Sequence, residues 1–154
     1  MNLTTNFTIP ELVPKSVWDK FGQNSIWFLD MDHVRSMQWL RDNLTKDFGR
    51  QVQLVVNDWA TGGNMHQRGL RTPEAKSYNF WSQHSHGRAC DFHSPTLTIT
   101  EIYTWLIDNE SRVLAESSFR AVEDITVTAK GGSGWLHIDS RPVLNASKLL
   151  IVKP

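Results

Sequence analysis

Apolar residues recur at helical spacing in the first third of the chain. Between Asp30 and Gly49 they fall three or four positions apart, as on one face of a helix, at Val34, Met37, Leu40, Leu44 and Phe48. A long helix is therefore predicted to begin near Asp30 or Asp32, with Gly49 as its C-cap. A shorter helix is predicted over Lys15–Phe21, closed by Gly22.

Alternating or continuous apolar runs predict strands in four places. Gln51–Val56 alternates and then becomes apolar, as a strand with one buried face does. Arg88–Phe92 predicts a second, short strand. Phe119–Val127 and Gly134–Asp139 predict two more, joined by the glycine-rich turn Lys130–Ser133.

One further helix and a long irregular segment complete the pattern. Thr98 and Glu101 have the spacing of a capping box, and a helix is predicted from about Ile99 to Val113. Residues 57–82 are rich in glycine, proline, asparagine and basic side chains, and long loops of this kind are often functional. Helices lead and strands cluster in the second half, so the predicted fold class is α+β.

The composition fits one globular domain. The chain has 154 residues, 40% of them hydrophobic and 21% charged, which suits a single core over residues 1–154. The 16 basic and 16 acidic residues cancel, so no net field attracts nucleic acid or an anionic membrane surface. No apolar run has the length of a signal peptide or a membrane span. This predicts a soluble protein that is made in the cytoplasm and needs another route if it acts outside.

Side chains that bind metals are concentrated between Ser82 and His93, a stretch with three histidines, one aspartate and the chain's single cysteine. If Arg88–Phe92 is a strand, its period of two places Asp91 on the opposite face from Cys90. Gly87 allows a turn before this strand, so that His84 folds back beside Asp91.

The last predicted strand offers a third ligand. Trp135, His137 and Asp139 share one of its faces, opposite the core face. Two imidazoles and one carboxylate, from His84, Asp91 and His137, are a set that a catalytic zinc uses while its fourth position stays open to water.

Other assignments of these residues remain open at this point. A lone histidine is more often solvated or hydrogen-bonded than a ligand, and motif matches are hypotheses. His86 and His93 are rival ligands, since His93 lies two positions beyond Asp91. Cys90 is more often a small buried hydrophobe than a ligand or a redox group.

The segment Ser82-x-His84-x-x-Gly87-x-Ala89-x-Asp91 resembles the S-x-H-x-x-G-x-A-x-D signature of the zinc D-Ala-D-Ala carboxypeptidase family, and Trp135-x-His137 resembles its closing element. This family includes vancomycin-resistance carboxypeptidases and dipeptidases and bacteriophage L-Ala-D-Glu endolysins, and the hedgehog domain shares its fold. The resemblance implies a small antiparallel sheet flanked by helices. It also implies that the first histidine, the aspartate and the last histidine bind the zinc.

Two more segments extend the likeness over most of the chain. Phe7–Leu12 resembles the family's opening segment, and Gly69–Pro73 its arginine-containing loop. The resemblance implies a single zinc peptidase domain, a hydrolase that cuts the stem peptide of peptidoglycan. A short chain of this kind looks like a phage-encoded lysin, released to the cell wall or periplasm or carried on a virion.

The catalytic base is the point at which the sequence departs from the family. Several members have an acidic residue three before the last histidine, or a histidine two before it, where this chain has Gly134 and Trp135. Glu123, in the preceding strand, is the favoured base. Asp139 is the second candidate, although its position suits orientation of an imidazole better.

Three further residues are predicted to contact substrate. Arg71 resembles the family's loop arginine, and its guanidinium suits a peptide carboxylate, with Arg68 as a competitor. Ser82 is predicted to hold the loop or to donate a hydrogen bond near the metal. Trp135 is predicted to form an aromatic wall of the cleft, together with Trp59 or Trp81.

Three alternatives to a lytic endopeptidase fit the same residues. The first is a carboxypeptidase or dipeptidase that removes terminal D-alanine. The second is a zinc-containing binding protein without catalysis, and the third is a structural component of a phage particle. The absence of an acidic residue shortly before His137 favours the second alternative, a zinc-containing binding protein without catalysis.

Overall fold

A four-stranded sheet and six α-helices form the fold in a computed structural model, which describes residues 2–128 and 134–153. The helices are α1 (Ile9–Leu12), α2 (Lys15–Phe21), α3 (Met31–Phe48), α4 (Ile99–Asp108), α5 (Glu110–Glu116) and α6 (Ile125–Thr128). The strands are β1 (Ala89–Phe92), β2 (Ala121–Glu123), β3 (Leu136–Asp139) and β4 (Leu150–Val152). The predicted α+β class is confirmed. Within the described part of the chain, every helix is too short or too polar to cross a membrane.

The sheet has the strand order β1-β3-β2-β4. The central strand β3 is antiparallel to both neighbours, and its register places Asp91 directly opposite His137. On the other side Val122 pairs with Ile138, so continuing this register brings Glu123 beside His137. Strand β4, which the sequence did not predict, lies parallel to β2 at the edge. The predicted turn Lys130–Ser133 falls outside the described residues.

Most of the core lies against one face of this sheet. Leu136 and Ile138 of β3 are fully buried, as their position opposite His137 predicts. They belong to a cluster that includes the apolar faces of α3 and α4. The apolar core therefore packs on one side of the sheet, and the polar side chains of β1 and β3, among them Asp91 and His137, lie on the other side.

Both N-terminal helix predictions are confirmed, with their caps. The side chain of Asp30 accepts hydrogen bonds from the amides of Asp32 and His33, which fixes the start of α3. Gly49 ends this helix with a φ of 63°, in the left-handed region. Gly22 ends α2 with a φ of 53°.

The predicted strand Gln51–Val56 is wrong as a strand, although its burial alternates as predicted. Only Val55 makes a bridge, to His93. The amide of Val52 donates instead to Thr45 Oγ1 at 3.0 Å, and that of Gln53 donates to Thr96 Oγ1 at 3.2 Å. Side-chain hydroxyls thus satisfy backbone groups that a neighbouring strand would otherwise pair.

The predicted helix from Ile99 to Val113 is divided at Asn109. Its capping box is confirmed, with the Thr98 amide donating to the Glu101 carboxylate at 2.7 Å. At the break, the carbonyl of Trp105 accepts hydrogen bonds both from the backbone amide of Asn109, at 3.0 Å, and from its side-chain amide, at 2.9 Å. Asparagine often ends helices in this way, since its amide competes with the backbone.

The predicted strand Phe119–Val127 is too long at its C-terminal end. Pairing stops at Glu123, and α6 begins at Ile125. The carboxylate of Asp124 accepts hydrogen bonds from the amide and the hydroxyl of Thr126, at 3.0 and 2.7 Å. An acidic side chain that accepts hydrogen bonds from the following amides starts a helical turn. The prediction followed the apolar run and overlooked this capping signal.

Candidate metal centre

A short 3₁₀ turn, Gln83–His86, places His84. The hydroxyl of Ser82 accepts a hydrogen bond from the His84 amide at 3.3 Å and so caps the turn. Gly87 ends it with a φ of 65°, and a Cβ there would lie 2.2 Å from the carbonyl oxygen of Phe28. Only glycine fits this position. The turn directs the side chain of His84 into the protein, where it is 2% exposed.

His84 meets Asp91 and His137 at the polar face of the sheet. The distance from His84 Nε2 to Asp91 Oδ1 is 3.2 Å, and to His137 Nδ1 it is 3.1 Å. His137 Nδ1 lies 2.8 Å from Asp91 Oδ1. One donor atom from each residue thus points to a common centre, and the three form a group able to hold a metal ion.

This triangle has nearly the size that a tetrahedral zinc requires. Zinc binds imidazole nitrogen and carboxylate oxygen at about 2.0–2.2 Å, so two ligand atoms in a tetrahedral site lie roughly 3.3–3.5 Å apart. The three observed separations, 2.8 to 3.2 Å, are a few tenths of an ångström shorter. A small outward shift of the three side chains gives zinc distances.

The outer nitrogens of both imidazoles are held by acceptors. His84 Nδ1 lies 2.8 Å from the carbonyl oxygen of Gly69, and His137 Nε2 lies 3.0 Å from Asp139 Oδ2. A neutral imidazole that donates its proton outward presents a lone pair on the other nitrogen. In this state two nitrogens and one oxygen all face the centre as acceptors, which is the arrangement that a cation stabilises.

The carboxylates around His137 also favour a cation. Burial opposes the charged imidazolium, but hydrogen bonds to Asp139 and Asp91 raise the pKa of His137 to about 9. Burial likewise opposes the charge of Asp91, and its hydrogen bonds to His137 and His84 hold its pKa well below the usual range. The centre therefore carries a negative field that positive charge balances.

Arginines support both carboxylates from outside. Arg71 donates through Nη2 to Asp91 Oδ2, the oxygen that faces away from the centre, and through Nε to the carbonyl of Gln67 at 2.9 Å. Arg71 was predicted as a clamp for substrate, and in the structure it first holds Asp91. Arg141, which the sequence analysis missed, donates through Nε to Asp139 Oδ1 at 2.8 Å.

Asp139 is placed to orient His137 and not to act as a base. It is fully buried, and both of its oxygens accept hydrogen bonds from Arg141 or His137. Arg141 lies two residues past Asp139, beyond the end of β3, and its backbone amide also donates to Asp139 Oδ1 at 3.0 Å, so the sequence signal for this pair was their closeness in the chain.

Glu123 is the free carboxylate beside the centre. It is 7% exposed, and its Oε2 has no hydrogen-bond partner among the described residues. Burial, together with the charge of Asp91, raises its pKa, while His137 and Arg71 oppose that change. A carboxylate with a raised pKa and an unused oxygen is suited to proton transfer.

The centre opens to a cleft of about 690 Å³. The cleft is lined by the three ligand residues and also by Arg71, Ser82, Glu123 and Trp135. The structure thus brings these predicted site residues to one place, with Asp139 behind it, whereas Trp59 and Trp81, the other predicted aromatic walls, are not among the lining residues. Trp135 is 41% exposed at the rim, and the guanidinium carbon of Arg68 lies 5.8 Å from its ring centre.

The rival ligands lie elsewhere. His86 is exposed and its ring packs against that of Phe80, with 5.6 Å between centres. His93 Nδ1 lies 3.3 Å from Arg68 Nη1. Cys90 is buried, and burial raises the pKa of its thiol far above the usual range, as expected for an apolar core residue.

Comparisons of this chain with family models, with curated proteins and with solved structures gave no match.

Proposed function

We propose that the protein is a zinc metallopeptidase that hydrolyses a peptide bond in the stem peptide of peptidoglycan. The observation that carries this proposal is the convergence of three ligand atoms, with 2.8–3.2 Å between them, at the floor of an open cleft. The signature over Ser82–Asp91 supports the substrate class and a fold like that of the D-Ala-D-Ala peptidases and the hedgehog domain.

The donor set suits zinc better than harder cations. Calcium and magnesium prefer all-oxygen sites with six or more ligands, whereas His84 and His137 supply nitrogen. Three protein ligands leave a coordination position open, as in catalytic zinc sites. When bound, zinc acts as a Lewis acid and makes water a nucleophile at neutral pH.

Glu123 moves the proton in this reaction. Its unpartnered Oε2 accepts a proton from the attacking water, whose oxygen forms the new bond to the peptide carbonyl carbon. The same carboxyl then donates that proton to the amine as the carbon–nitrogen bond breaks. The raised pKa of Glu123 serves both steps, because the group must gain and lose a proton near neutral pH.

Cations in the cleft select an acidic peptide. Lys153 lines it together with Arg71 and Arg141, whose guanidinium groups are already paired with Asp91 and Asp139, and stem peptides carry free carboxylates that a lysine can pair with. The exposed face of Trp135 supplies an apolar wall for the peptide's methyl and methylene groups. The enzyme therefore acts at the cell wall or periplasm, reached by phage-mediated release of a protein made in the cytoplasm.

Metal analysis and wall digestion test the proposal together. We expect one zinc per chain in the purified protein, and release of new amino termini from peptidoglycan that stops with a chelator and returns with zinc. Mass analysis of the fragments separates an endopeptidase from a carboxypeptidase, since the latter releases only D-alanine. Full cleavage by metal-free protein would refute the metallopeptidase.

A second function is a zinc-containing binding or phage structural protein without turnover. The observation in its favour is Gly134, which stands where several members of the D-Ala-D-Ala carboxypeptidase family, which the chain resembles, have an acidic residue. It predicts stoichiometric zinc, no new termini from any wall preparation, and copurification with phage particles.

A further inference from the structure

A second pocket, of about 370 Å³, lies outside the metal cleft. Its lining includes two exposed aromatic rings and four polar side chains: Trp27, Phe28, Asp30, Ser85, His86 and Arg88. Trp27 is 71% exposed and Phe28 is 37% exposed. Nothing in the proposed peptidase reaction uses these residues.

Aromatic rings continue from this pocket across the surface. The ring of Phe80 packs edge-on against His86 and against Trp81, at 5.6 and 5.1 Å between centres. Phe80 is 56% exposed and Trp81 is 81% exposed. We call Trp27, Phe28, Phe80, Trp81 and His86 the aromatic platform. Large apolar rings grouped in water usually mark a binding surface.

The platform and the metal centre share one structural element. Along the 82–86 segment, Ser82 and His84 line the metal cleft, whereas Ser85 and His86 line the second pocket. The two sites are thus opposite sides of one 3₁₀ turn. A polymer lying on the platform would be within a few residues' reach of the cleft.

The charges of the pocket favour a neutral ligand. Arg88 Nε donates to Asp30 Oδ2 at 3.1 Å, so the two charges in the pocket cancel. Both side chains are partly exposed, at 39% and 29%. Covering them with an apolar partner or a lipid phase would desolvate an ion pair, which is unfavourable unless new hydrogen bonds replace water. A ligand with hydroxyl and amide groups can replace those bonds.

Sugars match this combination of aromatic faces and neutral polar groups. The C–H groups on one face of a pyranose ring pack against the electron-rich face of an aromatic ring, while its hydroxyls reach neighbouring polar side chains. We propose that the platform binds a carbohydrate strand, and specifically a chain of N-acetylated amino sugars. The choice of amino sugar rests on the proposed function, since such a chain carries the stem peptides.

Binding of chitotetraose, a linear tetramer of N-acetylglucosamine, tests the inference. Calorimetric titration of the wild-type protein is expected to show saturable binding that is equal with zinc and with chelator. Trp27→Ala and Trp81→Ala are each expected to weaken it about tenfold or more, since tryptophan truncation in a binding site typically has such an effect. Leu144→Ala removes an apolar side chain that is 94% exposed outside the platform, and should leave binding unchanged.

The results separate this inference from the proposed peptidase. Protein that binds chitotetraose but cuts no stem peptide supports the platform and removes the peptidase. Absence of binding in a protein that cuts free stem peptide overturns the platform alone. Binding that Trp27→Ala leaves intact, or that the chelator abolishes, also overturns it, as does binding to anionic phospholipid vesicles in place of the sugar.

Discussion

Two histidines that contact the neighbouring residues Asp139 and Ser140, the partly exposed His137 and the fully buried His33, have pKa shifts of opposite sign. His137 lies in front of Asp139, with both ring nitrogens near carboxylate oxygens, and its pKa is raised to about 9. His33 lies behind, 2.8 Å from the hydroxyl of Ser140, and burial lowers its pKa to about 3. One site attracts positive charge and the other excludes it.

The difference comes from direct partners and not from depth. Asp139 and Asp30 attract a proton to His33 only at a distance, and the positive charge of His137 and His84 opposes them. The Nε2 of His33 has no hydrogen-bond partner among the described residues, and the His33 ring packs edge-on against Phe119, with 5.6 Å between ring centres. His33 is therefore a neutral core residue, whereas carboxylate contacts favour positive charge at His137.

Removing a metal ligand gives the largest expected effect. His84→Ala deletes one of three donors, so zinc affinity should fall by more than the about 100-fold that follows loss of an outer partner. Competition with a fluorescent chelator measures the affinity, and wall digestion should stop. His66→Ala changes an exposed histidine and serves as the control. Wild-type zinc affinity in His84→Ala would remove His84 from the site.

Glu123→Gln separates proton transfer from metal binding. The amide keeps the shape of the carboxylate but cannot accept the proton, so kcat should fall by about 10²–10⁴-fold while zinc content stays at one per chain. Glu74→Gln alters an exposed carboxylate and should change neither. Undiminished kcat in Glu123→Gln would show that Glu123 is not the base. Asp139 would not take its place, since both of its oxygens already accept hydrogen bonds.

Asp139→Asn tests whether the carboxylates make His137 different from His33. The variant keeps an acceptor for His137 Nε2 but loses its charge, and zinc affinity should fall about 10–100-fold. Arg141→Ala, which leaves the carboxylate and removes its partner, should produce a smaller loss. Asp108→Asn is a matched exposed control. If Asp139→Asn folds, as circular dichroism reports, and binds zinc normally, the charge of Asp139 is irrelevant to the site.

The sequence predicted the ligand side of this comparison better than its surroundings. Strand period and one glycine turn made His84, Asp91 and His137 candidates beside two other histidines, and the resemblance of the 82–91 segment to the family signature selected them. Arg141 lies only two residues past Asp139 and its role was missed, whereas the Gly69 carbonyl contacts His84 across 15 positions of the chain, a tertiary contact that no local period encodes. The Gly69 carbonyl and Asp139 hold the outer nitrogens of the two imidazoles and so decide which nitrogen of each faces the common centre.

The same limit explains the errors in the fold. Burial in Gln51–Val56 alternates as predicted. The backbone amides of this segment, however, donate to the hydroxyls of Thr45 and Thr96 and not to a neighbouring strand, and the hydrophobic pattern does not reveal such partners. Strand β4 lies in the continuous apolar run 149–152, a strand pattern that the prediction missed, and it pairs in parallel with β2. His33 lies within the α3 pattern and attracted no prediction of its own.

His33 gives the smallest expected effect, and it concerns acid stability alone. Between its folded pKa of about 3 and its ordinary value of 6.5, the unfolded chain binds more protons at this position than the folded protein does. The stability that His33 contributes is therefore present above pH 6.5 and decreases as the pH falls. Lowering the pH from 7 to 5 should reduce the free energy of unfolding by about 2 kcal/mol through this residue.

Urea unfolding of metal-free protein at several pH values between 7 and 5 measures this slope. His33→Gln should be less stable at pH 7, because it disturbs the contacts with Ser140 and Phe119, but its stability should depend less on pH. His137, with a folded pKa of about 9, contributes a slope of the opposite sign, because the unfolded imidazole takes up its proton only as the pH falls toward 6.5, but this contribution is common to wild type and His33→Gln and cancels in their comparison. Parallel pH profiles for wild type and His33→Gln, with His66→Gln as control, would show that folding does not change the pKa of His33. The contrast between the two histidines would then be lost.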